Sequence, residues 1–228
     1  MQLEKIKYRI KIRVLFILYV MIHFSQFRYL KEWIVYYLNR KKINPIDHGI
    51  PWLNFPTIQY LDQVLNDKMK VFEWGSGGST IFLSKRVHSL TSIEYDTEFY
   101  QHIKSKLAHF SINNVDMRYV SPQLSGKIGS EHPTFKDKYF DAYVDIISQY
   151  PDNYFDAIFV DGRARIECLK KAIPKLKSDG IIVFDNIERP RYYSSIYLLN
   201  DWNKKKFEGI VPFSFLINKT LIAQRITT

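Results

Sequence analysis

The chain has a single cysteine among 228 residues, so no intrachain disulfide can form and a reducing compartment suits it. Cys168 lies in a helical pattern between Ile166 and Leu169, where buried packing is expected rather than a reactive thiol. Its six histidines, at positions 23, 48, 88, 102, 109 and 132, show no zinc-ligand spacing. Glycine and proline are scarce, nine of each, and no repeat or low-complexity tract is present, which excludes fibrous character. A hydrophobic content of 46% excludes disorder. Long apolar runs are missing as well. The longest uncharged N-terminal stretch, residues 14–27, has 14 residues and includes His23, Ser25 and Gln26. A spanning helix needs about 20 apolar residues. The bulky Ser25-Gln26-Phe27-Arg28-Tyr29 that ends the stretch offers no small-x-small cleavage site for a secretory signal.

What charge there is sits at one end. Residues 1–42 hold ten Lys and Arg against Glu4 and Glu32, a net +8, which leaves +2 of the total +10 for the rest. A near-neutral body argues against a nucleic-acid partner recognised through bulk charge. In this basic arm Lys5, Lys7, Arg9, Lys11 and Arg13 alternate with Ile6, Tyr8, Ile10 and Ile12. Aromatic residues (Phe24, Phe27, Tyr29, Trp33, Tyr36, Tyr37) are then interleaved with Arg28, Lys31 and Arg40. Such a pattern suits a helix at an anionic membrane surface. It also suits a helix that covers the main domain or a partner copy, and an uncleaved anchor is a third reading. The expected location is cytoplasmic, peripheral at the inner face of the membrane.

Beyond the arm, Asn44-Pro45, Gly49-Ile50-Pro51 and Phe55-Pro56 punctuate residues 43–56 and predict a helix-free linker. Thr57 is expected to cap a short helix carrying Ile58, Leu61, Val64 and Leu65. Strand patterns follow near 70–74, 89–94, 116–120, 156–161 and 180–185. Helical patterns alternate with them near 78–86, 97–109, 136–150, 163–177 and 191–203. That alternation predicts a Rossmann-like α/β fold, a parallel sheet wound on both faces. Two β-rich runs, 207–213 and 216–224, predict a closing antiparallel hairpin. The expected division is an arm over 1–42, a linker over 43–56 and the α/β domain over 57–228.

Residues 71–79, Val-Phe-Glu-Trp-Gly-Ser-Gly-Gly-Ser, run an apolar strand through an acid into a glycine-rich turn and a helix. Gly75 and Gly77 allow a ligand close to the backbone, and the helix start adds unpaired N–H groups. In a dinucleotide site a pyrophosphate would lie over this turn, where the Glu73 carboxylate would repel it. A ligand with a sulfonium and an amino group would be attracted instead, so the residues favour S-adenosylmethionine over NAD. Glu94, 21 residues after Glu73, closes the second strand and can accept both ribose hydroxyls.

With this acid-x-Gly-x-Gly turn and the second-strand acid, residues 55–226 resemble the class I S-adenosylmethionine-dependent methyltransferases. The resemblance implies that Glu73, Gly75, Ser76, Gly77, Gly78, Glu94 and Tyr95 hold S-adenosylmethionine, with Tyr95 on the adenine. It implies methyl transfer, at oxygen on a small or sugar-like acceptor. The alternatives are a membrane-attached protein that keeps the fold without catalysis, and an NAD-dependent enzyme. The Asn/Asp-Pro-Pro-aromatic signature of amino-methylating DNA enzymes is absent.

Two further acids close the fourth and fifth strands, Asp161 in Phe-Val-Asp-Gly-Arg and Asp185 in Ile-Val-Phe-Asp-Asn. Each alone reads as a helix cap; together they are the best catalytic candidates. With Asn186 they are similar to the divalent-metal site of the catechol and caffeoyl-CoA O-methyltransferases, and oxygen ligands of that kind suit Mg²⁺ or Ca²⁺. Arg163, Arg165, Arg189 and Arg191 crowd the same strand ends, which suits an anionic acceptor or simple pairing with Glu167 and Glu188. The polar loop 121–140 is long enough for a lid, and its His132 could serve as a base.

Overall fold

A computed structural model of the protein describes residues 2–130 and 132–226. Two helices open the chain, α1 (Gln2–Ile22) and α2 (Phe27–Asn39), followed by α3 (Pro45–His48) and α4 (Phe55–Val64). The wound unit then runs β1 (Lys70–Trp74), α5 (Gly78–Ser84), β2 (Ser89–Glu94), α6 (Thr97–His109) and β3 (Val115–Tyr119). It continues with α7 (Asp141–Asp145), β4 (Phe155–Val160), α8 (Arg165–Lys175), β5 (Leu176–Asp185), α9 (Tyr193–Tyr197), β6 (Trp202–Ile210) and β7 (Ile217–Arg225). One sheet has the order β3-β2-β1-β4-β5-β7-β6. The first five strands are parallel, and β7 pairs antiparallel with both β5 and β6. The expected wound sheet with its antiparallel C-terminal hairpin is therefore what forms.

Strand alternation divides the core between the two faces of the sheet. Phe72 and Trp74 of β1 join Tyr143, Ile158, Cys168, Leu169 and Phe184 on the α7/α8 side. Cys168 is packed there as expected, and its Sγ donates to the Arg163 carbonyl at 3.3 Å. Val71 joins Leu61, Leu83, Leu90, Ala157 and Val183 on the α4/α5 side.

Three local readings are corrected. Residues 43–56 do hold a helix: Asn44 caps α3 by accepting from the Ile46 amide, Pro45 stands at its first position and Gly49 (φ 60°) closes it. The cap of α4 is Asn54, which accepts from the Thr57 amide at 2.9 Å and from the Thr57 hydroxyl at 2.8 Å. Thr57 is the partner of the cap. At the other end, the helix expected over 191–203 stops at Tyr197 in α9, because Trp202–Lys206 pairs with Leu221–Arg225 as the start of β6. Three consecutive lysines suit that exposed edge, where charge discourages pairing with another chain.

The arm packs on the domain. Phe16 and Val20 of α1, Tyr29 and Trp33 of α2, Phe55 and Ile210 form one buried cluster, edged by Phe215. The Trp33 indole donates to the Ser214 carbonyl at 2.7 Å and Tyr29 to Gln59 at 2.7 Å. Among the described residues no single helix is long and apolar enough to cross a membrane, and α1 and α2 meet at 103°.

Candidate functional site

The carboxyl ends of β1, β2, β4 and β5 open into one cavity of about 1030 Å³. Its walls include the Gly75–Gly78 turn, Glu94, Tyr95, Asp96 and Phe99, then Asp161, Arg163, Asp185, Asn186 and Arg189. Asn44, Ile46, Ile50 and Trp52 add a wall from the segment read as a linker, a contribution the sequence reading missed. The signal for it was present in the Asn-Pro start of α3 and the Gly49 stop.

The glycines of the turn serve different ends. Gly75 has φ +93°, and a Cβ there would sit 2.9 Å from Gly162 of the β4 loop, so the position is closed to other residues by conformation and packing. At Gly78 a Cβ would lie 2.1 Å from the Ile50 carbonyl, so this glycine lets the α3–α4 segment close over α5. Only Gly77 faces space: the nearest atom to its Cβ position is Phe99 Cζ at 4.0 Å. A ligand meets bare backbone there.

Glu73 is not on the cavity wall, contrary to the expectation that it contacts the cofactor. The strand runs on through Trp74, so alternation turns Glu73 away to the α5 face, opposite Ser92 of β2. It is buried, and its Oε2 accepts from the Thr80 and Ser92 hydroxyls at 2.7 Å each. Thr80 in turn accepts from the Gly77 amide at 2.9 Å. Glu73 thus supports the turn from behind. Burial pushes its carboxyl up to about 7, against the Ser79, Ser92 and Thr80 hydroxyls, which favour the anion.

Glu94 closes β2 on the cavity wall. Its Oε1 accepts from the amides of Tyr95 (2.8 Å) and Asp96 (2.9 Å), and its Oε2 from the amide (3.2 Å) and hydroxyl (2.7 Å) of Ser76. Burial raises its pKa, opposed by these bonds. Tyr95 lines the cavity, but its ring meets Phe135, Phe140 and Tyr143 edge-on, and its hydroxyl accepts from Arg163 at 2.7 and 3.0 Å. Phe99, beside Gly77, is an aromatic ring on the wall with room next to it, and so is Trp52.

Asp161 and Asp185 are brought together, and Arg165 lies between them. Its guanidinium reaches Asp161 Oδ1 (2.6 Å), the Asp161 carbonyl (2.7 Å), the Asp185 carbonyl (2.6 Å) and the Gly162 carbonyl (3.1 Å). Asp185 Oδ2 stands 4.0 Å away, while its Oδ1 accepts from Thr220 at 2.6 Å and Asn218 at 3.3 Å. Burial and the neighbouring Asp161 push the Asp185 carboxyl up, and burial does the same to Asp161 against the pull of Arg165.

The divalent-metal site expected at Asp161, Asp185 and Asn186 is thereby corrected. The positive charge between the two carboxyls is Arg165, and a cation placed there would meet its guanidinium. Among the described residues no group of three or more His, Cys, Asp and Glu could hold a metal ion. Mg²⁺ is expected to leave the thermal unfolding midpoint unchanged, and EDTA to leave turnover unchanged. A midpoint that rises with Mg²⁺ would restore the metal.

No protein-family model matches the sequence, and no curated protein matches it. Solved structures do. The chain is similar to a putative O-methyltransferase from Klebsiella pneumoniae at 15% identity, with TM-score 0.58 over 86% of this chain and 99% of that one. The O-methyltransferase of tomaymycin synthesis from Streptomyces achromogenes, solved with S-adenosylmethionine, matches at 18% identity and TM-score 0.54 over 75% and 80%. A putative methyltransferase from Streptococcus mutans, in complex with S-adenosylhomocysteine, matches at 14% and 0.51 over 74% and 95%. The fold is that of the class I S-adenosylmethionine-dependent methyltransferases.

Proposed function

We propose that the protein transfers a methyl group from S-adenosylmethionine to a hydroxyl of a small anionic acceptor. The supporting observation is one cavity lined by two chemically distinct groups of residues. Glycine backbone open at Gly77 and the acids Glu94, Asp96 and Glu98 follow β1 and β2, while Arg163 and Arg189 follow β4 and β5 and stand near His132.

The residues after β1 and β2 fit the cofactor, which when bound supplies an electrophilic methyl on a sulfonium. Glu94 would hold the ribose, one hydroxyl taking the place of the Ser76 hydroxyl on Oε2. Phe99 offers the adenine a face in place of Tyr95. Of the two strand-end acids Asp161 is the better base, with a side chain 29% exposed against 3% for Asp185. Asp185 holds Arg165 in place. Burial and the surrounding Arg163, Arg191 and Arg189 lower the pKa of His132, so the imidazole is neutral near pH 7 and can accept a proton. The same arginines suit a carboxylate or phosphate on the acceptor.

Calorimetry with S-adenosylhomocysteine tests the first half. Glu94→Gln is expected to weaken binding roughly tenfold or more, since hydrogen bonds to a charged group contribute about 1.5–3 kcal/mol each. Absence of binding by the wild type overturns the methyltransferase reading. Detection of S-adenosylhomocysteine across phenols, sugars and their phosphorylated or carboxylated forms tests the second. Preference for the anionic forms, lost in Arg189→Ala, is expected. Equal turnover of the neutral forms would remove the anionic acceptor and leave the cofactor assignment intact.

A further inference from the structure

The packing of the arm on the domain accounts for only one of its faces. In α1 the inward stripe is Ile12, Phe16, Tyr19 and Val20, at the spacing of a single helical face. The outward side of the same segment is equally apolar: Leu15, Leu18, Met21 and Ile22 are 47–71% exposed. The bend continues it, with Phe24 and Phe27 exposed and stacked on one another at 5.9 Å. A helix that is apolar on every side belongs in an interior, and no described segment covers this side.

Charge decides among possible covers. The exposed side chains of Lys7, Arg9, Lys11 and Arg13 precede the apolar segment in α1, within an arm of net +8. A second copy docked on this face would set two +8 arms against each other. Nucleic acid would match the charge and leave the apolar side chains in water. A lipid surface with anionic headgroups satisfies both features. Trp33 and Tyr29 tie α2 to Ser214 and Gln59, so the bent pair cannot straighten into a span without leaving the domain. We propose that the outward face of α1 and the following bend rests in an anionic membrane surface, while the inward face holds the domain against it. The proposal is independent of the methyltransferase reading.

Co-sedimentation of the full chain with phosphatidylcholine vesicles, with and without phosphatidylglycerol, tests it. Binding is expected to the mixed vesicles, little to phosphatidylcholine alone, and reversal by salt. Each Lys or Arg near such a surface contributes roughly 1 kcal/mol, so neutralising one should lower partitioning about fivefold. Lys7→Gln/Lys11→Gln should therefore lower it about 25-fold. Leu18→Glu/Ile22→Glu should abolish binding with an unchanged unfolding midpoint, because both side chains are exposed. Equal binding to neutral vesicles, or none to either, overturns the proposal. So does a dimer in solution that Leu18→Glu/Ile22→Glu dissolves, which would give the face to a second copy.

Discussion

Replacing Arg165 by Met is expected to cost about 3–5 kcal/mol of folding stability, the range for removing one partner from a buried ion pair. Arg165 is 5% exposed and joins the ends of β4 and β5 through three carbonyls and the Asp161 carboxylate. Without it, Asp161 and Asp185 face each other with no cation between them, only the more distant Arg163 and Arg189 acting on Asp161, and three carbonyls lose their donor. The two carboxyls can relieve part of the cost by taking up a proton, so the loss should be larger at pH 8 than at pH 5. Adding Asp161→Asn and Asp185→Asn to the Met variant should recover much of it, because the remaining groups are then neutral. Urea unfolding of the wild type, the single variant and the triple variant gives the three numbers. A single-variant loss below about 1 kcal/mol would mean that the carboxyls are already protonated in the native protein, and the ion-pair description would fail.

Arg165 also shows where a single sequence stops being informative. The apolar runs that end in Asp161 and Asp185 announce β4 and β5, because a buried parallel strand needs an uninterrupted apolar run and its polar residue falls at the tip. Which cation answers those acids depends on strands from distant parts of the chain meeting side by side. Four arginines near two strand ends read alike in sequence; only the register of β4 on β5 singles out the one that fits between them. Glu73 is a different case, because its orientation was legible. Val71 shares its side of β1 with Glu73, and Trp74 shares the other with Phe72, so counting by twos turns Glu73 toward α5. The wall made by Ile46, Ile50 and Trp52 was hidden by proline and glycine, which mark the breaks in a chain and not the cavity its pieces will line.

Glu73→Gln is expected to stabilise the protein at alkaline pH and to leave it nearly unchanged in acid. The native carboxyl is pushed up to about 7 from an ordinary value of 4.5, so the folded state holds a proton that the unfolded chain releases first. Below the unfolded value both states are protonated and the group costs nothing. As pH rises toward 7 the wild type loses stability on this account, and above 7 the cost levels off at about 3 kcal/mol. Glutamine keeps an acceptor for the Thr80 and Ser92 hydroxyls without a charge to bury. The difference between variant and wild type, followed by urea unfolding from about pH 4 to about pH 8, should therefore grow with pH and then flatten. A pH-independent difference would show that Glu73 ionises normally. A residue that weakens the fold in this way is most readily explained by what it does for the turn it supports. On the function proposed here, a sulfonium arriving above Gly77 favours the ionised carboxylate, so cofactor binding near pH 7 should drive a proton out of the wild type. Calorimetry in buffers of different ionisation enthalpy measures that proton. Glu73→Gln should bind S-adenosylmethionine more weakly and release none, while the uncharged-sulfur product S-adenosylhomocysteine should be less affected. Equal proton release by wild type and variant would assign Glu73 to the architecture of the turn alone.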